Sequence, residues 1–540
     1  MKKSLLILFS IALLNSCISD ITDTIDKASD LRGVEWNPTL AAPLVYSRLH
    51  LKDLLDEVGD VQFLKIGDDG SMTLVYADEY ESQTAEEAMS LQNQSYWETF
   101  SLTAGELSDL NTNGSVTLTY NRNLSYLFGQ SEMDKVLFKG GAMEISYSST
   151  LQHDISFKFT IVEGTKGGSL LSETLSNPFT SLPNTANSSI NLDGMELDFT
   201  KTGNIHSEME VIIEMTVTKK GSNPILPVET ISYGVDLVDQ EFTYLQGFFD
   251  SQNFSSASDQ LDIDFFSNNS GGTFTLADPR IKFVLKNSMG FPLEAKIIKF
   301  DGTNSDNQTV SLAGLPDPFP VPNLTLAERG LIKTDSFSLN KGNSNLASYI
   351  NNRPAKNTYE FTVNSLATGA TRQWALDTSR LGVRIEIEVP MEGTAKDYVL
   401  ESTQSFDIGL DNTDEIKEVL VRLYTENGFP VDIATQLYFE DSASNVVLDS
   451  LITSDILILP SADVDGTGKV SSANPKTTDI VLNSATIARV KNADRIRIKA
   501  RFNTPFESGG VTQPDVKFYD VYDVLIQLGV QAEVLINQEL

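Results

Sequence analysis

A motif written twice constrains this chain more than any other feature. Phe283-Val-Leu-Lys-Asn-Ser-Met-Gly-Phe-Pro-Leu293 reads like Val421-Arg-Leu-Tyr-Thr-Glu-Asn-Gly-Phe-Pro-Val431, and the Gly-Phe-Pro triplets begin at Gly290 and Gly428, 138 residues apart. Asn343-Ser344 before Ile350 answers Asn483-Ser484 before Val490 at a separation of 140. Each pair leads into an alternating run, Tyr359, Phe361 and Val363 in one copy and Ile496, Ile498 and Ala500 in the other. A last run, Phe406, Ile408 and Leu410, answers Val524, Ile526 and Leu528. Matched landmarks at nearly constant spacing predict two homologous domains, 273–413 and 414–540. A weaker copy over 135–247 starts at Val136 and puts Gly140-Gly141 at the turn. It alternates through Ile155, Phe157, Phe159 and Ile161, then Val211, Ile213, Met215 and Val217, and closes on Val235, Leu237, Phe242 and Leu245.

Short apolar–polar runs of period two, separated by Gly, Asn, Asp and Pro, specify strands with one buried and one wet face. The expected fold is all-β: tandem immunoglobulin-like β-sandwiches. At each triplet Gly is expected to permit a positive φ, Pro to fix the following φ, and Phe291 or Phe429 to plug the end of the core. Strand, Gly-Phe-Pro kink and second strand together resemble the opening of water-stress-type (LEA-like) β-sandwich domains. The resemblance implies immunoglobulin-like architecture and no activity.

Segment 31–134 reads as a small mixed α+β module that packs on the first sandwich. Trp36-Asn-Pro-Thr-Leu-Ala-Ala-Pro-Leu44 is pinned extended by two prolines. Ser47 is placed to cap a helix through Leu49, Leu51, Leu54, Leu55 and Val58, which would carry His50. Asp68-Asp69-Gly70 is a hairpin turn. Over 248–272, Phe248, Phe249, Phe254, Leu261, Ile263, Phe265 and Phe266 form an apolar junction, too greasy for a free linker.

The N-terminus carries an export signal. Lys2 and Lys3 precede an apolar run from Leu5 to Leu14, too short to span a hydrocarbon core of about 30 Å. Leu14-Asn15-Ser16-Cys17 resembles the lipobox of bacterial lipoproteins. That resemblance implies a signal peptide over 1–16, a diacylglycerol thioether on the Cys17 sulfur, and an N-acyl chain on the new terminus. Within an acidic tether over 17–30, Ile18-Ser-Asp-Ile-Thr-Asp-Thr-Ile-Asp26 carries three acids and no base and resembles the sorting segment of Bacteroidota-type lipoproteins, which implies the outer membrane, facing the cell exterior. Cys17 is the one cysteine. Once acylated it leaves no thiol for disulfides, thiolate metal sites or cysteine nucleophiles.

Composition narrows the partners. A formal charge of −34 repels nucleic-acid phosphate and anionic lipid, so any membrane attachment falls to the lipid. At 40% hydrophobic residues the chain can build cores. Catalytic material is thin. His50, His153 and His206 are the only histidines, and each reads as a surface or boundary residue. No phosphate loop, Gly-x-Ser-x-Gly elbow or His-Glu-x-x-His is present. The expectation is a non-enzyme without a cofactor.

Three weaker signals remain. Asp463, Asp465 and Thr467 resemble the first half of a Ca²⁺ loop, but Asn474 stands where a bidentate Glu belongs. Trp36, Trp97 and Trp374 are scattered, with Trp374 the best candidate for stacking on a sugar. Leu315-Pro-Asp-Pro-Phe-Pro-Val-Pro322 is a stiff insertion fit for docking or for connection. Two functions follow: a scaffold or accessory subunit of an outer-membrane β-barrel assembly, secretion or import complex, or, alternatively, a surface glycan-binding lipoprotein. Exposed aromatics would favour the glycan, and a broad apolar patch the protein partner.

Overall fold

A computed structural model describes residues 39–50, 63–201, 203, 206–255, 258–263, 269–366, 371–405, 416–450, 456–505 and 515–534. The described chain is mostly strand. Three strands come first: β1 (Thr39–His50), β2 (Phe63–Ile66) and β3 (Met72–Glu81). Next are β4 (Gln94–Ser101), β5 (Ser115–Ser125), β6 (Glu132–Ser149), β7 (Asp154–Lys166), β8 (Ser169–Asn177), β9 (Asn184–Asn191), β10 (Met195–Asp198), β11 (Glu208–Thr218) and β12 (Thr230–Phe248). The first repeat holds β13 (Asp259–Asp262), β14 (Asn269–Leu276), β15 (Arg280–Asn287), β16 (Leu293–Thr303), β17 (Thr309–Ser311), β18 (Lys333–Leu339), β19 (Lys356–Ser365), β20 (Gln373–Leu376), β21 (Leu381–Pro390) and β22 (Glu392–Ser405). The second holds β23 (Ile416–Asn427), β24 (Asp432–Asp441), β25 (Val446–Ser450), β26 (Ile456–Leu459), β27 (Asp463–Val464), β28 (Val470–Ser472), β29 (Asn474–Asn483), β30 (Arg495–Asn503), β31 (Val516–Lys517) and β32 (Asp523–Val534). Among the described residues four short α-helices interrupt them, α1 (Ala85–Ala88), α2 (Ala104–Asn113), α3 (Leu346–Asn351) and α4 (Ser484–Val490), along with a 3-10 turn at Leu326–Glu328.

The two repeats build the same pair of sheets. In the second sandwich they run β18-β15-β21-β3-β2 and β13-β19-β16-β17; in the third, β29-β23-β32-β1 and β14-β22-β30-β24-β25. Strand for strand, β15 answers β23, β19 answers β30, and α3 and α4 each precede the strand that follows the Asn-Ser landmark. The strand that answers β32 is β21, whose Leu381, Val383, Ile385, Ile387 and Val389 are buried. Phe406, Ile408 and Leu410 lie outside the described residues; the expected boundary at 413 moves back because β22 already belongs to the third sandwich. The expected start at 273 shifts as well: β14, which spans it, pairs with β22 in the third sandwich, the chain returns to the second at β15, and it crosses back between Pro390 and Glu392, where β22 pairs with β30.

The expected separate module over 31–134 does not form; its strands are dealt out to all three sandwiches. β1 closes the third sandwich beside β32, from Thr39↔Glu533 to His50↔Asp523. β3 takes the matching place in the second, beside β21, and β4 and β5 join the first. Each repeat alone leaves β21 or β32 with an open edge, and an N-terminal strand covers it. Ser47 and His50 therefore sit in β1, not in a helix; Leu51, Leu54, Leu55 and Val58 lie outside the described residues. The Asp68-Asp69-Gly70 turn forms as expected, with Ile66↔Met72 paired, Gly70 at φ 83 and the Asp69 carboxylate accepting from the Ser71 amide at 3.0 Å. Its tip also docks on the third sandwich, where the Asp520 amide donates to the Gly70 carbonyl at 3.0 Å.

The first sandwich is one ten-stranded sheet folded on itself. β4, β12, β6 and β9 make one face and β8, β7, β11 and β5 the other, with β10 bonded to both β6 and β7. Its alternating residues fill the core as expected: Phe157, Phe159, Val211, Ile213, Val235 and Phe242 are all buried. Gly140-Gly141 is not a turn, however. β6 runs straight through it, and the register slips opposite Val238 and Glu241. Gly141, at φ 100, sits where a Cβ would come within 2.7 Å of the Asp239 carbonyl oxygen. It is a bulge that bends two long strands around the core.

Both triplets mark seams between sandwiches. Phe291 is buried against Phe249 and Phe254 from the apolar junction, at ring separations of 6.1 and 5.5 Å. Phe429 meets Phe518 at 6.2 Å, where the third sandwich abuts the second. The glycines are needed for close approach rather than for positive φ, since neither Gly290 nor Gly428 has one. A Cβ on Gly290 would lie 2.2 Å from the Trp374 ring, and one on Gly428 2.5 Å from the Asp523 carbonyl oxygen. The junction is itself structural: Leu261 lies in β13, which pairs with β19, and Ile263 is buried; Phe265 and Phe266 lie outside the described residues.

Candidate functional site

Cys17 lies outside the described residues. The Trp374 expectation is overturned. Its side chain is fully buried, its indole N–H donates to the Thr325 carbonyl at 2.9 Å, and its backbone bridges Gly290. It belongs to β20, a short strand that the second sandwich lends to β12 of the first. No sugar reaches it.

Asp463, Asp465 and Thr467 are not gathered around a common point. Asp465 turns its carboxylate onto its own loop, accepting from the Thr467 amide at 2.8 Å, the Thr467 hydroxyl at 2.6 Å and the Lys469 amide at 3.1 Å. Those bonds hold its pKa below the usual carboxylate range, the Thr467 hydroxyl first. Asp463 accepts from the Ser472 hydroxyl at 3.0 Å. Among the described residues no group of three or more His, Cys, Asp or Glu is placed to hold a metal ion.

The histidines do structural work. His50 is exposed at the end of β1, with Nδ1 3.9 Å from Asp523. His206 Nδ1 lies 2.7 Å from the buried Asp134 carboxylate, which Arg372 approaches at 3.4 Å from the second sandwich. His153 corrects the surface expectation, for it is fully buried. Its ring Nδ1 accepts from the Lys220 amide at 3.4 Å and its carbonyl from the Asn184 side chain at 2.8 Å. Burial, and then the Lys219 charge, push its pKa down.

The Pro-rich insertion is a cover rather than a free loop. Phe319 is buried against Phe283, Phe337 and Phe361, and the Pro322 carbonyl accepts from the Asn287 side chain at 2.8 Å. Asn287 has a counterpart at Asn427, buried likewise, which donates to the Pro460 carbonyl at 2.8 Å. In both, the side-chain oxygen accepts from the amide two residues on, at 2.9 Å in Asn287 and 2.8 Å in Asn427. Sequence reasoning passed over this pair. The signal was an Asn before each triplet, displaced by the two extra residues Ser288 and Met289.

Among the described residues Tyr46 of β1 and Trp97 of β4 are the most exposed aromatics, and Trp97 faces solvent from the middle of a sheet edge. Trp97, in β4, is 63% exposed and pairs with Gly234 of β12. A Cβ on Gly234 would lie 2.7 Å from two indole carbons, so the ring lies across the neighbouring strand and shows its other side to water. Below it, inward-facing Glu98 takes a forked bond from Arg122 of β5 and a bond from the Tyr233 hydroxyl at 2.8 Å. The Tyr96 hydroxyl donates to the Ser125 carbonyl at 2.5 Å, and burial pushes its pKa up to about 12. These bonds fix β4 against β5 and keep the platform rigid.

No family model and no curated protein matches the sequence. Among solved structures the chain is similar to a protein of Parabacteroides distasonis described as secreted, at 11% identity over 92% of this chain and 99% of that one, with a TM-score of 0.23. It is also similar to a structure of infectious bursal disease virus, Gx strain, at 8% identity over 88% and 81%, with a TM-score of 0.15.

Proposed function

We propose that this chain is a lipid-anchored, non-catalytic scaffold of the outer membrane, facing the cell exterior, that serves as an accessory subunit of a β-barrel assembly, secretion or import complex. One observation carries the reading. β1, the first described strand after the acidic tether, is an edge strand of the third sandwich, while the second sandwich stands between the third and the first. An anchor at Cys17 would hold the third sandwich within at most about 75 Å of the bilayer, the greatest distance the residues up to Thr39 could span. The first sandwich would then point outward. Threading of the N-terminal strands through all three bodies ties them together, which suits a rigid spacer. The Trp374 strand, the Lys139–Asp377 ion pair at 2.9 Å and Arg372 lock the first seam. The test is fractionation with mild-detergent purification of the tagged chain. Wild type should pellet with outer membrane and retain a barrel partner, while Cys17→Ser should be released. Membrane retention of Cys17→Ser, or a wild-type chain that purifies alone, sinks the reading.

A further inference from the structure

We propose that the outer face of the β4-β12-β6-β9 half of the first sandwich binds a neutral polysaccharide, with a sugar ring stacked on Trp97. The registers place four outward-facing residues in each of three cross-strand rows. Trp97, Gly234, Ser146 and Asn187 form the middle row; Thr99, Ser232, Ser148 and Thr185 lie on one side, and Ser95, Asp236, Glu144 and Ser189 on the other. The inward partners, Ile145, Tyr147, Tyr233 and Val235, are buried, so the sheet below is filled and stiff. With strands about 4.8 Å apart and alternate residues about 7 Å apart, the rows cover roughly 14 by 14 Å, wider than one pyranose.

The chemistry of this face selects its ligand. A pyranose has a flat side of C–H bonds and a rim of hydroxyls. The indole face, electron-rich and apolar, takes the C–H side. Hydroxyls, one amide and two carboxylates around it supply donors and acceptors to the rim. Gly234 is what lets the indole lie flat, because any side chain there would lift it. No Lys or Arg stands in the three rows, and the two charges present are negative. Nucleic acid, which could also stack on Trp97, and anionic glycans would be repelled. A protein hot spot would want apolar neighbours that exclude water, whereas Trp97 is ringed by hydroxyls such as the Thr99–Ser232 pair at 2.7 Å. This inference rests on the face alone and holds whether or not Cys17 is acylated.

The test is affinity electrophoresis of the full mature chain through gels cast with neutral glucans, mannans, galactans or xylans. At least one should retard wild type. Trp97→Ala should weaken that binding about tenfold or more, and Trp97→Phe should restore part of it. Gly234→Ala keeps the indole but displaces it, and should also weaken binding. Unchanged melting curves would show that these exposed-face variants still fold. The proposal is overturned if no neutral polysaccharide retards wild type, or if Trp97→Ala binds as wild type does. It is equally overturned if the substitution abolishes capture of a protein while sugar binding is absent. Because the readout is independent of membrane fractionation, its failure is distinguishable from failure of the anchored-scaffold reading.

Discussion

The second and third sandwiches share one strand order and differ in what fills them. In the second, Phe283 stacks on Phe337 at 4.8 Å and meets Phe300 and Phe319 at 5.9 Å each, with Tyr359 and Phe361 beyond. In the third, Leu423 occupies the place of Phe283, and a small cluster of Phe439, Val490, Ala493 and Ile496 packs beneath α4. Charge takes up part of the remaining role. Buried Glu440 of β24 bridges Arg495 and Arg497 of β30 at 2.8 Å each. Strand order thus survives replacement of an aromatic core by a smaller apolar core with an internal ion cluster. What both copies keep is the buried Asn at the end of the first strand and the glycine of close approach. Topology is tied to those few points, and core composition is free to drift.

The largest effect expected from this contrast is at Phe283. Phe283→Ala should cost about 3–5 kcal/mol, and Leu423→Ala nearer to about 2–3 kcal/mol. Hydrogen exchange resolved to β15 and β23 would measure each locally, since a chain of several bodies has no single unfolding step. Equal costs would mean that the two cores do not differ as described.

Asn287→Ala and Asn427→Ala come next, at about 1–3 kcal/mol each, because each strands a buried carbonyl and a buried amide. The two losses should match, measured by denaturant titration with the same exchange readout. A large disparity would break the structural equivalence of the pair.

Acid should separate the bodies further. Burial pushes the Glu440 pKa up, but Arg497 and Arg495 outweigh it and hold it below the ordinary range. A depressed carboxylate stabilises the fold above its unfolded pKa, near 4.3, and that stabilisation is lost as pH falls through the folded value. Melting of the third sandwich should therefore fall below about pH 4.3, and Glu440→Gln should flatten that dependence while costing about 1 kcal/mol at pH 7.

The smallest effect belongs to His153 in the first sandwich. A histidine with a lowered folded pKa favours folding while neutral, so the unfolded chain takes up the proton first. Its contribution should begin to be lost as pH falls below about 6.5. His153→Gln should remove a shallow decline in first-sandwich stability between about pH 6.5 and 5, followed by thermal melting across that range.

Much of this fold is legible in the order of residues alone. Period-two runs such as Ile155 to Ile161 mark strands and their buried faces correctly. Tertiary context decides the rest. Trp97 and Trp374 are alike in sequence, each a lone Trp in a polar stretch. One is exposed because β12 offers Gly234 beneath it, the other buried because β20 slots between two sandwiches. His153 reads as an edge residue because nothing local shows that the Lys220 backbone covers it. Ser47 to Val58 has helical spacing, yet Ser47 pairs with Ile526, at the far end of the chain.

By itself the sequence determined the strands, the repeat and the all-β class, because alternation and turn residues act over a few neighbours. It did not determine which sheet each N-terminal strand would complete, where one sandwich gives way to the next, or which tryptophan meets water. Those depend on an open strand edge and on the room beside a glycine, properties that exist only once distant segments have met.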